Sequence, residues 1–306
     1  MTTPLNLKTP VNVDFAAARH LIMEQGTNLQ REMFSYRFES GSRRNVICAL
    51  SHYQNQDGGF GHGLEPDLRT RHSSVLATTV ALQILQEMNA LKTPLALGAL
   101  SWLNSQFNGQ GWSLVTSTHN DAPHAPWWSA ADDTAEPRFS PNADAEILAC
   151  LFAANAMATE RPQLVRAAVD SLQRPPEMHE LLCFLRLYNT KATPVDLKQA
   201  ILPVLLTSSR QLVKTTVSGW EEYGLQPADL VTDQCSPLFA LFQEVLADNL
   251  HFRASRQEAD GGWSPAWSWG TDYPHVWQQI LPEIRAAETL RHLTCFQRFN
   301  LLPSAG

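Results

Sequence analysis

One short stretch of this chain gathers Asp57, His62, Glu65, Asp67, Arg69 and His72. Two carboxylates flanked by histidines can carry general acid/base catalysis or hold a cation. A second arrangement of the same residues is inert: Asp57 and Asp67 cap turns, and Glu65 pairs with Arg69 or Arg71. Aromatic residues form the other concentration of chemical potential. Trp127, Trp128, Trp263, Trp267, Trp269, Tyr273 and Trp277 fall near two loop segments, and large π faces stabilise cationic intermediates or bind flat, apolar ligands and sugars. Trp263 shares its sequence position with Phe60 and Trp112 and is expected to pack a hairpin. Trp127, Trp128, Trp267 and Trp269 are therefore the better candidates for a pocket. The adjacent pair Glu221 and Glu222 reads as a solvated face.

The elements that must position these residues are marked by three turns: QNQDGGF from Gln54, QFNGQGW from Gln106 and QEADGGW from Gln257. In each, a Gln precedes an aromatic by six residues and follows a helix-like run. Their spacing is close to one and three units of a ~50-residue period, so the chain holds about six units. Six stacked helical hairpins can close into a ring around a cavity. Apolar periodicity places helices from Asp14 to Gln25, Arg44 to Tyr53, Ser74 to Met88, Lys92 to Phe107, Ala145 to Ala158, Pro162 to Leu172, Glu177 to Tyr188, Pro194 to Leu212, Pro237 to Arg253 and Trp277 to Phe299. Helices that are apolar all round alternate with amphipathic ones, as two concentric layers require. Residues 108–140, rich in His, Pro, Asp and Trp, show no helix and read as a long functional loop.

Composition narrows the functional classes. A net charge of -7 disfavours general nucleic-acid binding, which needs a basic face to displace counterions. No basic start with an apolar h-region and no apolar run of ~20 residues is present, so a cytoplasmic protein without a membrane span is expected. The five cysteines are scattered and read as buried free thiols. No P-loop, GxGxxG after a strand, HExxH or GxSxG motif occurs.

At QNQDGGFG and QEADGGWSPAW the chain resembles the terpenoid cyclase and protein prenyltransferase superfamily. It is also similar to single-toroid bacterial proteins described as prenyltransferase-like or squalene-cyclase-like, through DGGFGHGLEPD, HAPWW and DGGWSPAWSWGTDY. The resemblance implies an all-α (α/α)6 toroid over residues 1–306 as one domain, with 108–140 near the cavity mouth. It further implies acid-initiated, metal-independent chemistry on an isoprenoid or other large apolar substrate. Class II terpene cyclases use an Asp-x-Asp-Asp-Thr-Ala motif. Here Asp132-Asp133-Thr134-Ala135 matches its end, with Asp132 as proton donor, Asp133 as partner, and Ala130 where the first Asp of the motif would stand.

The catalytic candidates are thus Asp132, Asp133, Glu65 and Asp67. The substrate-binding candidates are His62, Trp127, Trp128, Trp267, Trp269, Tyr273 and His275. Protein prenyltransferases hold zinc through an Asp-x-Cys pair and a distant His, which maps onto Asp233, Cys235 and His275; Ser236-Pro237 depart from that family's pattern. Alternatives kept beside the cyclase reading are a non-catalytic toroid that binds a ligand or partner, and a carbohydrate-active (α/α)6 enzyme with spaced carboxylates. Oligomeric state is left open.

Overall fold

A computed structural model of the chain describes residues 10–131 and 136–302. Among the described residues there are α-helices, two short 3₁₀ turns and isolated bridges, with no β-strand. In chain order the helices are α1 (Phe15–Gln25), α2 (Asn28–Phe38), α3 (Arg43–Ser51), α4 (Val75–Glu87), α5 (Pro94–Gln106), α6 (Pro141–Ala154), α7 (Arg161–Ser171), α8 (Met178–Asn189), α9 (Val195–Leu212), α10 (Val217–Trp220), α11 (Pro227–Leu230), α12 (Phe239–Ser255) and α13 (Pro274–Arg298). None is long and apolar enough to cross a membrane. The chain divides into two compact units, one from Met1–Ala49, Ser209–Gly270 and Pro274–Gly306, the other from Leu50–Ser208 and Thr271–Tyr273.

In the second unit α6 is the central rod. It packs against α4, α7 and α8, and Ala143 through Leu151 are all buried, as its all-round apolar sequence requires. Asn155 ends it in the left-handed conformation, at φ 54°. In the first unit α13 packs on α1 and α2, while α12 packs on α10 and α11. Helix α2 has no counterpart among the sequence expectations. A reciprocal capping box fixes its start: Gln30 N–H donates to Thr27 Oγ1 at 3.2 Å, and Thr27 N–H donates to Gln30 Oε1 at 2.8 Å.

Two of the three turns are built alike. Gln54 Nε2 donates to Gly58 O at 2.9 Å and, across to the first turn of α5, to Leu95 O at 2.9 Å. Gln257 Nε2 donates to Gly261 O at 2.9 Å and to Asp14 O, at the head of α1, at 2.9 Å. Asp57 and Asp260 each accept the N–H two residues on, from Gly59 at 2.9 Å and Gly262 at 3.1 Å. Gly58 and Gly261 take φ of 92° and 88°, a region open to glycine at little cost. The aromatic N–H then reaches into the following helix: Phe60 to Thr78 Oγ1 at 3.0 Å, Trp263 to Thr289 Oγ1 at 3.2 Å.

The middle turn is one residue tighter. Asn108 Oδ1 accepts from Gln110 and Gly111 at 2.9 and 3.0 Å, and the positive φ moves to Gly109. Gln106 spends its amide on Ser105. Docking runs the other way here, from Gln163 of α7 onto Gly109 O. The Trp112 N–H goes to Asp144 of α6, where the other turns use a threonine.

These bonds reveal one hand-over rule. A helix ends in the turn, a buried helix follows, and the turn docks on the helix after that. The sequence is α3, α4, α5 for the first turn and α5, α6, α7 for the second. At the third it is α12, α13, and then α1, on which the Gln257 turn docks through Asp14 O.

Candidate functional site

The segment leaving the first turn, residues 61–74, is held against residues 117–130. Arg69 N–H donates to Pro123 O at 3.0 Å and Ala125 N–H to Asp67 O at 2.8 Å, bracketing an antiparallel bridge between Leu68 and His124. Leu68, His124 and Ala125 are buried at that seam. A weaker outer link joins His72 Nε2 to Asp121 Oδ2 at 3.8 Å, both exposed. Backbone pairing therefore fixes two irregular loops together without a strand in either.

Glu65 sits at the head of this seam. Its carbonyl accepts the Leu68 N–H at 3.0 Å, and its Oε1 lies 3.4 Å from the Asp67 N–H. The side chain keeps a partial solvent exposure, yet protein surrounds the carboxyl so closely that desolvation is the leading influence on it. Desolvation first, and the neighbouring Asp67 carboxylate second, push the Glu65 pKa up to about 7. No basic side chain pairs with Glu65 among the described residues. The pairing with Arg69 or Arg71 allowed by sequence is not formed.

The rest of the cluster divides. Asp57 is structural: it accepts from Gly59 N–H, from Ser73 Oγ at 2.8 Å and from Trp102 Nε1 at 3.0 Å. His62 is exposed and tied to Asn55 Oδ1 at 2.8 Å. Asp67 is held beside Glu65. Trp127 is 47% exposed and Tyr273 42%, and the Tyr273 ring lies 5.7 Å from that of His124. Trp128 is half-buried, and its indole N–H is buried with no partner among the described residues. In the other unit Trp269 is buried, and Trp267 and Trp269 pack on Trp277 at 5.3 and 5.9 Å. Asp132 and Asp133 lie outside the described residues.

Two histidines that sequence reasoning passed over belong here. His119 is fully buried with its ring against the backbone of Trp128, and burial holds its pKa below the usual value. His124 is clamped, Nδ1 at 2.7 Å from Ala122 O and Nε2 at 3.0 Å from Ser129 Oγ. Because a carbonyl only accepts, the proton sits on Nδ1 and Nε2 is the acceptor. Neither histidine stands in a spacing pattern, so only the fold could bring them to the seam.

The zinc arrangement does not form. Asp233 Oδ1 accepts the Cys235 N–H at 2.7 Å in a local turn, His275 is exposed, and no three His, Cys, Asp or Glu side chains converge as metal ligands among the described residues. None of the five cysteines is in a disulfide; Cys150, Cys183 and Cys295 are buried as expected, whereas Cys48 and Cys235 are exposed.

A further buried group lies between α6 and α8. Glu146 Oε2 accepts from Arg186 Nη1 at 2.7 Å, Cys183 Sγ stands 3.7 Å away, and Glu146 Oε1 has no hydrogen-bond partner among the described residues. On the same helix the Asp144 carboxyl accepts the Ser140 N–H at 3.0 Å, and burial drives its pKa up to about 7. No protein-family model, no curated protein and no solved structure matches the chain.

Proposed function

We propose that Glu65 is the proton donor of an acid-initiated reaction on an isoprenoid or comparable large apolar substrate, in a chain of the terpenoid cyclase-like class. The supporting observation is the state of its carboxyl. A group with a pKa near 7 is substantially protonated at neutral pH, and a neutral carboxylic acid is what protonating an alkene requires. The Asp67 carboxyl beside it favours that neutral form. In the reaction the Glu65 proton moves to an alkene carbon, leaving a carbocation and the Glu65 carboxylate, and loss of a proton to that carboxylate restores the acid. The exposed faces of Trp127 and Tyr273 are suited to lie against the cation.

The accompanying fold proposal is a closed (α/α)6 double ring. Its support is the hand-over rule: α1 receives the turn after α12 as α5 receives the turn after α3. A turn late in the chain that docks on the early helix α1 is what a closed ring of hairpins needs, whereas an open superhelix stacks neighbours in order only.

Incubating the purified protein with squalene in D₂O tests the chemistry. Expected are cyclised products carrying one deuterium from solvent, a rate that falls as pH rises through 7, and a loss of about 100-fold or more in Glu65→Gln. Full activity in Glu65→Gln together with its loss in Asp132→Asn would move the acid to Asp132 and end the Glu65 assignment.

A further inference from the structure

The segment 117–130 also contains an arrangement that acid-initiated chemistry does not use. Ser129 is exposed, and its Oγ lies 3.0 Å from His124 Nε2. His124 is in turn oriented by Nδ1–H donating to Ala122 O at 2.7 Å. A hydroxyl, an acceptor imidazole nitrogen and a group that fixes the tautomer form the nucleophile, base and orienter of covalent catalysis. His124 itself is 5% exposed and pinned at the bridge to Leu68. Its ring cannot swing away from the serine without breaking the seam.

Two neighbours supply what a dyad alone lacks. The residue before the serine, Trp128, carries a buried indole N–H with no hydrogen-bond partner among the described residues. Unspent buried donors are uncommon, since each forfeits the hydrogen bond that water would supply. An oxyanion that develops only during reaction is a partner that would take them up. Trp127, half-exposed on the other side of Trp128, offers a flat apolar face.

We infer that Ser129 is a nucleophile activated by His124, acting on carboxylic esters that carry an aromatic or apolar group. Ser129 Oγ bonds to the ester carbonyl carbon as its proton passes to His124 Nε2. The carbonyl oxygen takes the negative charge, facing the indole N–H of Trp128. Collapse of this adduct breaks the ester C–O bond, and the His124 proton leaves with the alcohol. Water, deprotonated by His124, then attacks the acyl group and frees Ser129, so the net reaction is hydrolysis to acid and alcohol.

The test is modification by diisopropyl fluorophosphate, read by intact mass and peptide mapping, alongside p-nitrophenyl butyrate hydrolysis. Expected are a single adduct on Ser129, no adduct and no turnover in Ser129→Ala, and labelling slowed about 100-fold or more in His124→Gln. Trp128→Phe should slow turnover more than labelling of the hydroxyl by a small electrophile such as phenylmethylsulfonyl fluoride. Labelling and squalene turnover are read on the same samples, which separates this inference from the acid reading. Absence of an adduct on Ser129, or an equal labelling rate in a folded His124→Gln, overturns it. Should His124→Gln fail to fold, Ser129→Thr decides: it keeps the hydroxyl but crowds it, and undiminished labelling there marks an ordinary surface hydroxyl and also overturns the inference.

Discussion

The turn at Gln54–Phe60 and the turn at Gln257–Trp263 use the same bonds but lead to opposite treatment of their acids. After the third turn Asp260 meets Arg285, with Nη1 to Oδ2 at 2.8 Å and Nη2 to Oδ1 at 2.9 Å, and Glu258 meets the same guanidinium at 2.6 Å. The arginine holds the Asp260 carboxyl below its usual range. After the first turn Asp57 is satisfied by neutral donors, while Glu65, a few residues on, is enclosed beside Asp67 and driven up to about 7. One scaffold therefore carries a neutralised corner and a frustrated one. No salt bridge offsets the burial of Glu65, as the proposed role of proton donor requires.

The comparison of turns breaks hardest at their glycines. A Cβ on Gly261 would stand 2.3 Å from the Ala17 carbonyl carbon and 2.4 Å from Ala18 N, both backbone atoms of α1. On Gly58 it would stand 2.6 Å from Gly98 O in α5, and on Gly109 nothing lies within 4 Å. All three have positive φ, so each alanine variant carries a similar backbone strain of about 1–2 kcal/mol. Only the first two add a clash with a docked helix. Gly261→Ala should lose roughly 3–5 kcal/mol or fail to fold, Gly58→Ala somewhat less, and Gly109→Ala only the strain. Urea midpoints would rank them. Equal losses at Gly261 and Gly109 would mean that docking on the next helix contributes nothing.

Asp144 sharpens the comparison from the middle turn, because it receives the aromatic N–H that Thr78 and Thr289 receive elsewhere. Burial raises its pKa to about 7 from an ordinary 3.8. Below the ordinary value both folded and unfolded states are protonated, and the group has no effect on pH dependence. Between pH ~4 and ~7 the unfolded chain releases the proton while the folded protein keeps it, so stability falls as pH rises; above 7 it levels off. The full effect is on the order of 4 kcal/mol for this almost completely buried side chain. Asp144→Asn should therefore be more stable than the parent at pH 8 and close to it at pH 4, as read from thermal melts. The same pH dependence in the parent and in Asp144→Asn would refute the assignment, because that comparison cancels His119 and His292, whose lowered pKa values act with the opposite sign.

Much of the scaffold could be read from residue order. The DGG corners announce themselves because Gln, Asp and Gly each perform a local task there, and local tasks leave a fixed spacing. Helices α4, α5, α7, α8 and α9 fall within a few residues of their periodic patterns, and α6 was recognisable as buried on all sides. Helix α2 was overlooked although Thr27 and Gln30 spell its capping box, since its face is too polar to show a period. Glu65 and Asp67 were visible as a dense acidic stretch, but not the burial of the Glu65 carboxyl, which depends on contacts between segments distant in sequence. His119, His124 and Ser129 were not visible as a group. What joins them is a bridge between Leu68 and His124, and a pairing of two irregular loops has no sequence period.

The smallest effect lies at the corner that is already satisfied. Asp260 is 48% exposed and Arg285 14%, so water screens much of their attraction, and an exposed ion pair of this kind contributes about 0–1 kcal/mol. Because the Asp260 pKa is depressed, its contribution is present above the ordinary Asp value and disappears as pH falls through the folded one. Asp260→Asn should thus cost under about 1 kcal/mol at pH 7 and nothing near pH 2, the reverse of the trend for Asp144 and Glu65. Denaturation of Asp260→Asn at the two pH values checks this. If Asp260→Asn proved as damaging as Gly261→Ala, the ion pair rather than the docked glycine would be fastening α1 to the last turn, and the likeness between the first and third corners would be only one of backbone shape.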